Sequence, residues 1–170
     1  MQVGYSIPAS YICLMDKLFS KIIICVILCV GLGAASGFST ADSINGWYQT
    51  IQKPSWNPPN WVFAPVWTLL YALMGISLAL IWHNRHVLKN AALAFFVVQF
   101  VLNLLWSYIF FGRQNMQLAL MEIILMWIMI FLTIFYFYRI HKIAAWLMIP
   151  YLLWVSFATF LNYTLYTLNH

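Results

Sequence analysis

Charge is what this chain has least of. Only 6% of its 170 residues are Asp, Glu, Lys or Arg, against about a quarter in a soluble domain. So few charges cannot cover a water-soluble globule, which points to a lipid-embedded chain. Acid is scarcest, with Asp16, Asp42 and Glu122 the whole complement, so no paired carboxylates exist for general acid–base work. Cysteine is sparse and odd in number. Cys13, Cys25 and Cys29 read as small apolar residues and not as a disulfide framework. No Gly-rich phosphate loop appears, and no Ser/His/Asp or Cys/His arrangement falls within the apolar segments. No catalytic constellation is therefore visible, and no cofactor is required.

What the chain does have is apolar length. Charges are missing between Lys21 and Asp42, Lys53 and Arg85, Lys89 and Arg113, and after Lys142; Arg113 to Arg139 holds only Glu122. A bilayer core of ~30 Å needs about 20 helical residues. Five such windows predict five spans, at Leu18–Phe38, Val62–Trp82, Ala91–Phe111, Met116–Tyr138 and Ala144–Tyr166. Backbone groups in lipid must bond internally, and no period-two alternation supports a barrel, so each span is a helix. The fold class is an all-α integral membrane protein, a bundle of five transmembrane helices. Residues 1–16 form a short N-terminal extension and 17–170 one domain. The first span also carries features of a cleaved secretory signal, but "CVGLGAASGF" stays apolar and small, which favours a retained helix. Gly33 and Gly37 have the spacing of a close helix contact.

Lys17, Lys21, Arg85, Lys89, Arg139 and Lys142 fall on one side of these spans, Lys53 and Arg113 on the other. Six against two puts the N-terminus in the cytoplasm and the first loop and C-terminus outside. The net charge of +5 then reflects topology and not a nucleic-acid partner. His83 and His86 have a spacing that can hold a metal, but they share a basic loop whose simpler role is to face anionic lipid.

Connections between the later spans are expected at about 5–8 residues, which makes consecutive helices antiparallel neighbours. The first connection, Ser39 to Trp61, is long and holds Trp47, Tyr48, Trp56 and several prolines. Leaving those indoles in water would be costly, so the loop is expected to fold back over the bundle mouth. Pro65 is expected in a first turn that begins near Val62, and Pro150 is expected to kink the last span. Trp67 and Tyr71 share a helix face, as do Gln99, Asn103 and Trp106, and Trp154, Ala158 and Asn162. Amides avoid lipid, so these faces turn inward. Spacing alone allows either a packed core or a cavity for a flat apolar ligand. Trp82, Trp127 and Trp146 read as packing or interfacial belt. Glu122 lies inside the fourth span, where an acid is costly. A proton, a ligand or a hydrogen bond from a neighbouring helix would accommodate it.

Three runs carry a resemblance: "WYQTIQKPSWNPPNWVFAPVWTLLYALMG", "NLLWSYIFFGRQNMQLALMEI" and "AWLMIPYLLWVSFATFLNYTLY". Together they resemble the TspO/MBR family, the tryptophan-rich sensory proteins related to the translocator protein. The resemblance covers all but the N-terminal extension. It implies a five-helix bundle, often a homodimer, with a cavity lidded by the first loop. It implies a receptor for tetrapyrroles such as protoporphyrin IX and haem, and for drug-like hydrophobic molecules. Matching positions place Trp47, Tyr48, Trp56, Pro58, Trp67, Tyr71, Asn103, Trp106, Trp154 and Ala158 in the pocket and lid. Trp67 and Trp154 match two tryptophans that some bacterial members link to light-dependent porphyrin breakdown, which makes them the candidate catalytic residues; a tetrapyrrole transporter is the remaining alternative. A bacterial cell membrane is the expected location. The sterol motif of animal members needs a basic residue after the C-terminal Tyr, and Tyr163 is followed by "TLYTLNH", so sterol is not an expected partner.

Overall fold

The computed structural model describes residues 9–170; residues 1–8 and the side chains of 9–16, where the predicted extension falls, and the side chain of Asn45 lie outside the description. Seven α-helices follow in order among the described residues: α1 (Ala9–Ser39), α2 (Ala41–Asn45), α3 (Trp47–Thr50), α4 (Asn60–His83), α5 (Lys89–Ser107), α6 (Met116–Ile140) and α7 (Lys142–Leu168). A π-helical turn, Tyr108–Gly112, extends α5. Among the described residues five helical segments are long and apolar enough to cross a membrane: Lys17–Ser39, Asn60–His83, Lys89–Gly112, Met116–Ile140 and Lys142–Leu168. The predicted all-α bundle of five spans is what the chain forms.

α1 packs on α4, α4 on α7, α7 on α6, and α6 on α5; α5 closes the ring through smaller contacts with α4 and α1. The helix backbones approach closely at Gly75, where a Cβ would stand 2.6 Å from the Val26 Cα. Only a hydrogen fits there, so α1 and α4 meet backbone to backbone. Of the predicted small-residue pair, Gly33 receives the Tyr71 ring, while a Cβ at Gly37 would meet open space. Each does a different job, and they do not form one helix seam.

Two links are shorter than expected. Only Arg113, Gln114 and Asn115 separate the π turn from α6, and only His141 separates α6 from α7. Both helices start on a side-chain cap: Asn115 accepts from the Leu118 N–H and His141 Nδ1 from the Ala144 N–H, which satisfies otherwise orphaned donors. Gln114 turns the first of these corners with φ of 53°. α4 begins at Asn60, two residues earlier than expected, so Pro65 sits in the second turn. Pro150 lies inside α7, which continues unbroken to Leu168.

Candidate functional site

A cavity of about 510 Å³ lies between α1, α4, α5 and α7, under the first loop. That volume suits a small organic ligand. Trp67 and Tyr71 of α4, Asn103 and Trp106 of α5, and Trp154 and Ala158 of α7 all line it, with Tyr48 of α3. The three faces inferred from helical spacing therefore converge on one space. Asn162 joins them, but Gln99 does not. Gln99 is fully buried below the cavity, and neither of its amide atoms has a hydrogen-bond partner among the described residues. α1 supplies lining that the sequence did not mark as such: Val30, Gly33, Ala34, Ser36, Gly37 and Phe38. The signal was present in "GLGAASG", a run of small residues that leaves room beside a helix. Phe110 and Phe111 also line the cavity. The wide π turn, closed by Arg113 N–H to Tyr108 O at 2.9 Å, holds both rings inward.

Buried hydrogen bonds fix the wall. The Tyr71 hydroxyl donates to Asn103 Oδ1 at 2.6 Å, and Asn103 Nδ2 donates to the Tyr151 hydroxyl at 3.1 Å. Tyr151 in turn reaches Met126 Sδ at 3.5 Å. One amide thus joins α4, α5 and α7, with both of its ends satisfied, as a low-dielectric interior requires. Trp67 stacks on Tyr71 at 5.4 Å between centroids and meets Tyr151 edge-on at 6.3 Å. Trp154 of α7 packs against Phe63 of α4 and against Phe157. Trp106 stacks on Phe110 at 5.0 Å and donates Nε1–H to Asn162 Oδ1 at 3.3 Å. The indoles are half-buried and keyed at their rims, with their other surfaces free to meet a ligand.

The first loop folds back on the bundle as the sequence predicts. Tyr48 is buried, edge-on to Phe110 and Phe111, and its hydroxyl donates to Asn57 Oδ1 at 2.9 Å. Burial pushes the Tyr48 phenol pKa up, and the Asn57 bond offsets part of that rise. Gln52 N–H donates to Asn169 Oδ1 at 2.9 Å, and Asn169 Nδ2 donates back to Gln52 O at 3.0 Å. The loop is thus tied to the end of α7. Trp47, Trp56 and Pro58 lie outside the cavity lining. Trp47 packs edge-on against Phe110. Trp56 stacks at 5.2 Å on Phe160, which is itself exposed. The Pro58 carbonyl accepts from Asn57 Nδ2. The two indoles thus pack the loop onto the bundle, while the Pro58 bond is local to the loop.

Glu122 also stands apart from the cavity, with neither carboxylate oxygen hydrogen-bonded among the described residues. No cluster of His, Cys, Asp or Glu that could hold a metal occurs among the described residues.

The TspO/MBR family model matches residues 25–167, which reaches from within the first span into the last and takes in every residue of the cavity lining. The chain belongs to the TspO/MBR family. Among its relatives, a tryptophan-rich protein TspO of Chlorobaculum tepidum is 43% identical over 159 residues, 91% of this chain and 99% of that one. A TspO of Archaeoglobus fulgidus is 43% identical over 149 residues, 88% and 97% of the two chains. The human translocator protein is 39% identical over 127 residues, 73% and 75% of the two chains. With its five apolar helices, this TspO/MBR chain is an integral membrane protein of the sensory and translocator class.

Proposed function

We propose that this chain is a membrane receptor for tetrapyrroles, which are held in the α1/α4/α5/α7 cavity beneath the first loop. The observation that carries the reading is an uncharged chamber of about 510 Å³ walled by Trp67, Tyr71, Trp106 and Trp154 on converging helices. Such rings offer stacking surface to a planar macrocycle. The Asn57–Pro58–Pro59 stretch and the Gln52–Asn169 pair keep the lid stiff, so little entropy is lost on enclosing a ligand. Among the described residues the lining includes no His, Cys or Met; the phenols of Tyr48 and Tyr71, which could serve a haem iron as axial donors, are already engaged with Asn57 and Asn103, so the macrocycle would be held by its faces.

Charge asymmetry supports an N-terminus in the cytoplasm and a lid outside, and the exposed apolar helix faces are compatible with a homodimer. Tryptophan fluorescence quenching by protoporphyrin IX and by haem in detergent tests the reading. Trp67→Ala combined with Trp154→Ala should weaken protoporphyrin IX binding about tenfold or more, the order of two lost stacking contacts. Unchanged affinity would remove the cavity as the site.

A second reading is light-dependent porphyrin degradation. Its support is the placement of Trp67 against Tyr71 and Tyr151, a chain of oxidisable rings starting at the ligand wall. Illuminating the complex and following the porphyrin absorbance separates the readings. Bleaching that needs Trp67 or Trp154 supports turnover, and a stable band supports binding alone.

A further inference from the structure

Among the described residues the cavity lining holds no Asp, Glu, Lys, Arg or His. A ligand carboxylate drawn inside would lose its water and gain no counter-ion, which is strongly unfavourable. Any acidic arm must therefore stay at the rim, and its partner must be sought there. Lys53 is half-buried in the lid, with Nζ 4.5 Å from the centroid of the Tyr48 ring. Tyr48 itself lines the cavity, so this ammonium stands one ring away from the ligand space, within reach of a flexible four-carbon stem.

Two further observations bear on Lys53. Its neighbour Gln52 is clamped to Asn169 by two hydrogen bonds, and Pro54 follows, so the backbone that presents the ammonium is fixed. No acid occurs in the sequence between Asp42 and Glu122. Asp42 is exposed on α2, at the opposite end of the loop sequence, beside the cavity-lining Ala41 and Ile44. The other cation at this end, Arg113, is exposed and stands 5.9 Å from the Tyr108 ring, which is not part of the lining.

We propose that Lys53 is the carboxylate anchor of the site, so that a ligand's planar apolar body enters the chamber while an acidic arm remains under the lid, paired with the ammonium. This rests on the tetrapyrrole reading above and narrows it to dicarboxylic macrocycles bound acid-edge outward. Lys53 is then a specificity-determining residue, one that separates acidic ring ligands from neutral ones of the same shape.

The test compares protoporphyrin IX with its dimethyl ester on the purified full chain in detergent, by tryptophan quenching, in the unaltered protein, K53Q, K53R and R113Q. Each affinity is corrected for the compound's measured partition into protein-free micelles, and the acid-to-ester ratio is then compared within and across the variants. The unaltered protein should favour the acid about fivefold, the worth of one partly exposed ion pair, and added salt should shrink that preference. K53Q should abolish it by weakening the acid alone, K53R should restore it, and R113Q should leave it intact. Equal binding of acid and ester by the unaltered protein would overturn the anchor, even if K53Q did not fold. So would a preference that survives K53Q, or one lost in R113Q instead. Failure of both compounds to bind would defeat the tetrapyrrole reading and the anchor with it, whereas equal binding of both would defeat the anchor alone.

Discussion

Asn103 shows what one residue does here. Its amide spans the Tyr71 and Tyr151 hydroxyls, joining three helices at the cavity wall. Replacing it with Ala strands the Tyr71 phenol and leaves the Tyr151 phenol only Met126 Sδ. An interhelical bond in a membrane contributes about 0.6–1.7 kcal/mol, so Asn103→Ala should cost about 1–3 kcal/mol, read as a lower midpoint of thermal unfolding in detergent. Tyr71→Phe removes one bond and leaves the stacking on Trp67, so it should cost less than half as much by the same measurement. The inward turn of Asn103 was legible in the sequence because an amide has no partner in lipid. Its particular partners were not, since they come from α4 and α7, far away in the chain. The same limit explains Trp56. A tryptophan in the loop could face the cavity or back the lid, and only the position of Phe160 on α7 decides for the lid.

Among the elements, α1 and α4 depend on Gly75. A Cβ there would meet the Val26 backbone, which cannot move without separating the helices. Gly75→Val should destabilise the protein by about 1–3 kcal/mol through overpacking, whereas Gly37→Ala, which faces open space, should be close to neutral. Thermal unfolding of the two variants side by side checks the contrast. The corner between α5 and α6 offers a gain. Gln114 holds a φ of 53°, a region that costs a non-glycine residue about 1–2 kcal/mol. Gln114→Gly should therefore raise the unfolding midpoint or leave it level, since glycine's extra freedom in the unfolded chain offsets part of the relief. Spans were readable to within a few residues, because charge-free length is a property of the chain alone. The π turn was not, because it depends on how Phe110 and Phe111 pack against the lid.

At the scale of the whole molecule, topology sets which end of the cavity a ligand meets first. With Ser55 in the lid and Val87 in the α4–α5 loop, both exposed, single cysteines at these positions should differ in labelling of intact cells once Cys13, Cys25 and Cys29 are replaced. S55C should react with an impermeant maleimide from outside, and V87C only after permeabilisation. The reverse pattern would invert the assigned orientation.

The sequence by itself determined that this chain lives in a bilayer, how many times it crosses and which faces turn inward. Scarce charge, apolar length and amide placement act through the solvent and need no knowledge of distant neighbours. Only the tertiary structure decided that the inward faces leave a chamber and do not interlock, that α1 forms one of its walls, and which loop residues cover it and which brace the cover. Those outcomes depend on the distances between helices, and close contacts such as Gly75 on Val26 and Gly33 under Tyr71 set those distances. Residues far apart in the chain make such contacts, and no local pattern encodes them.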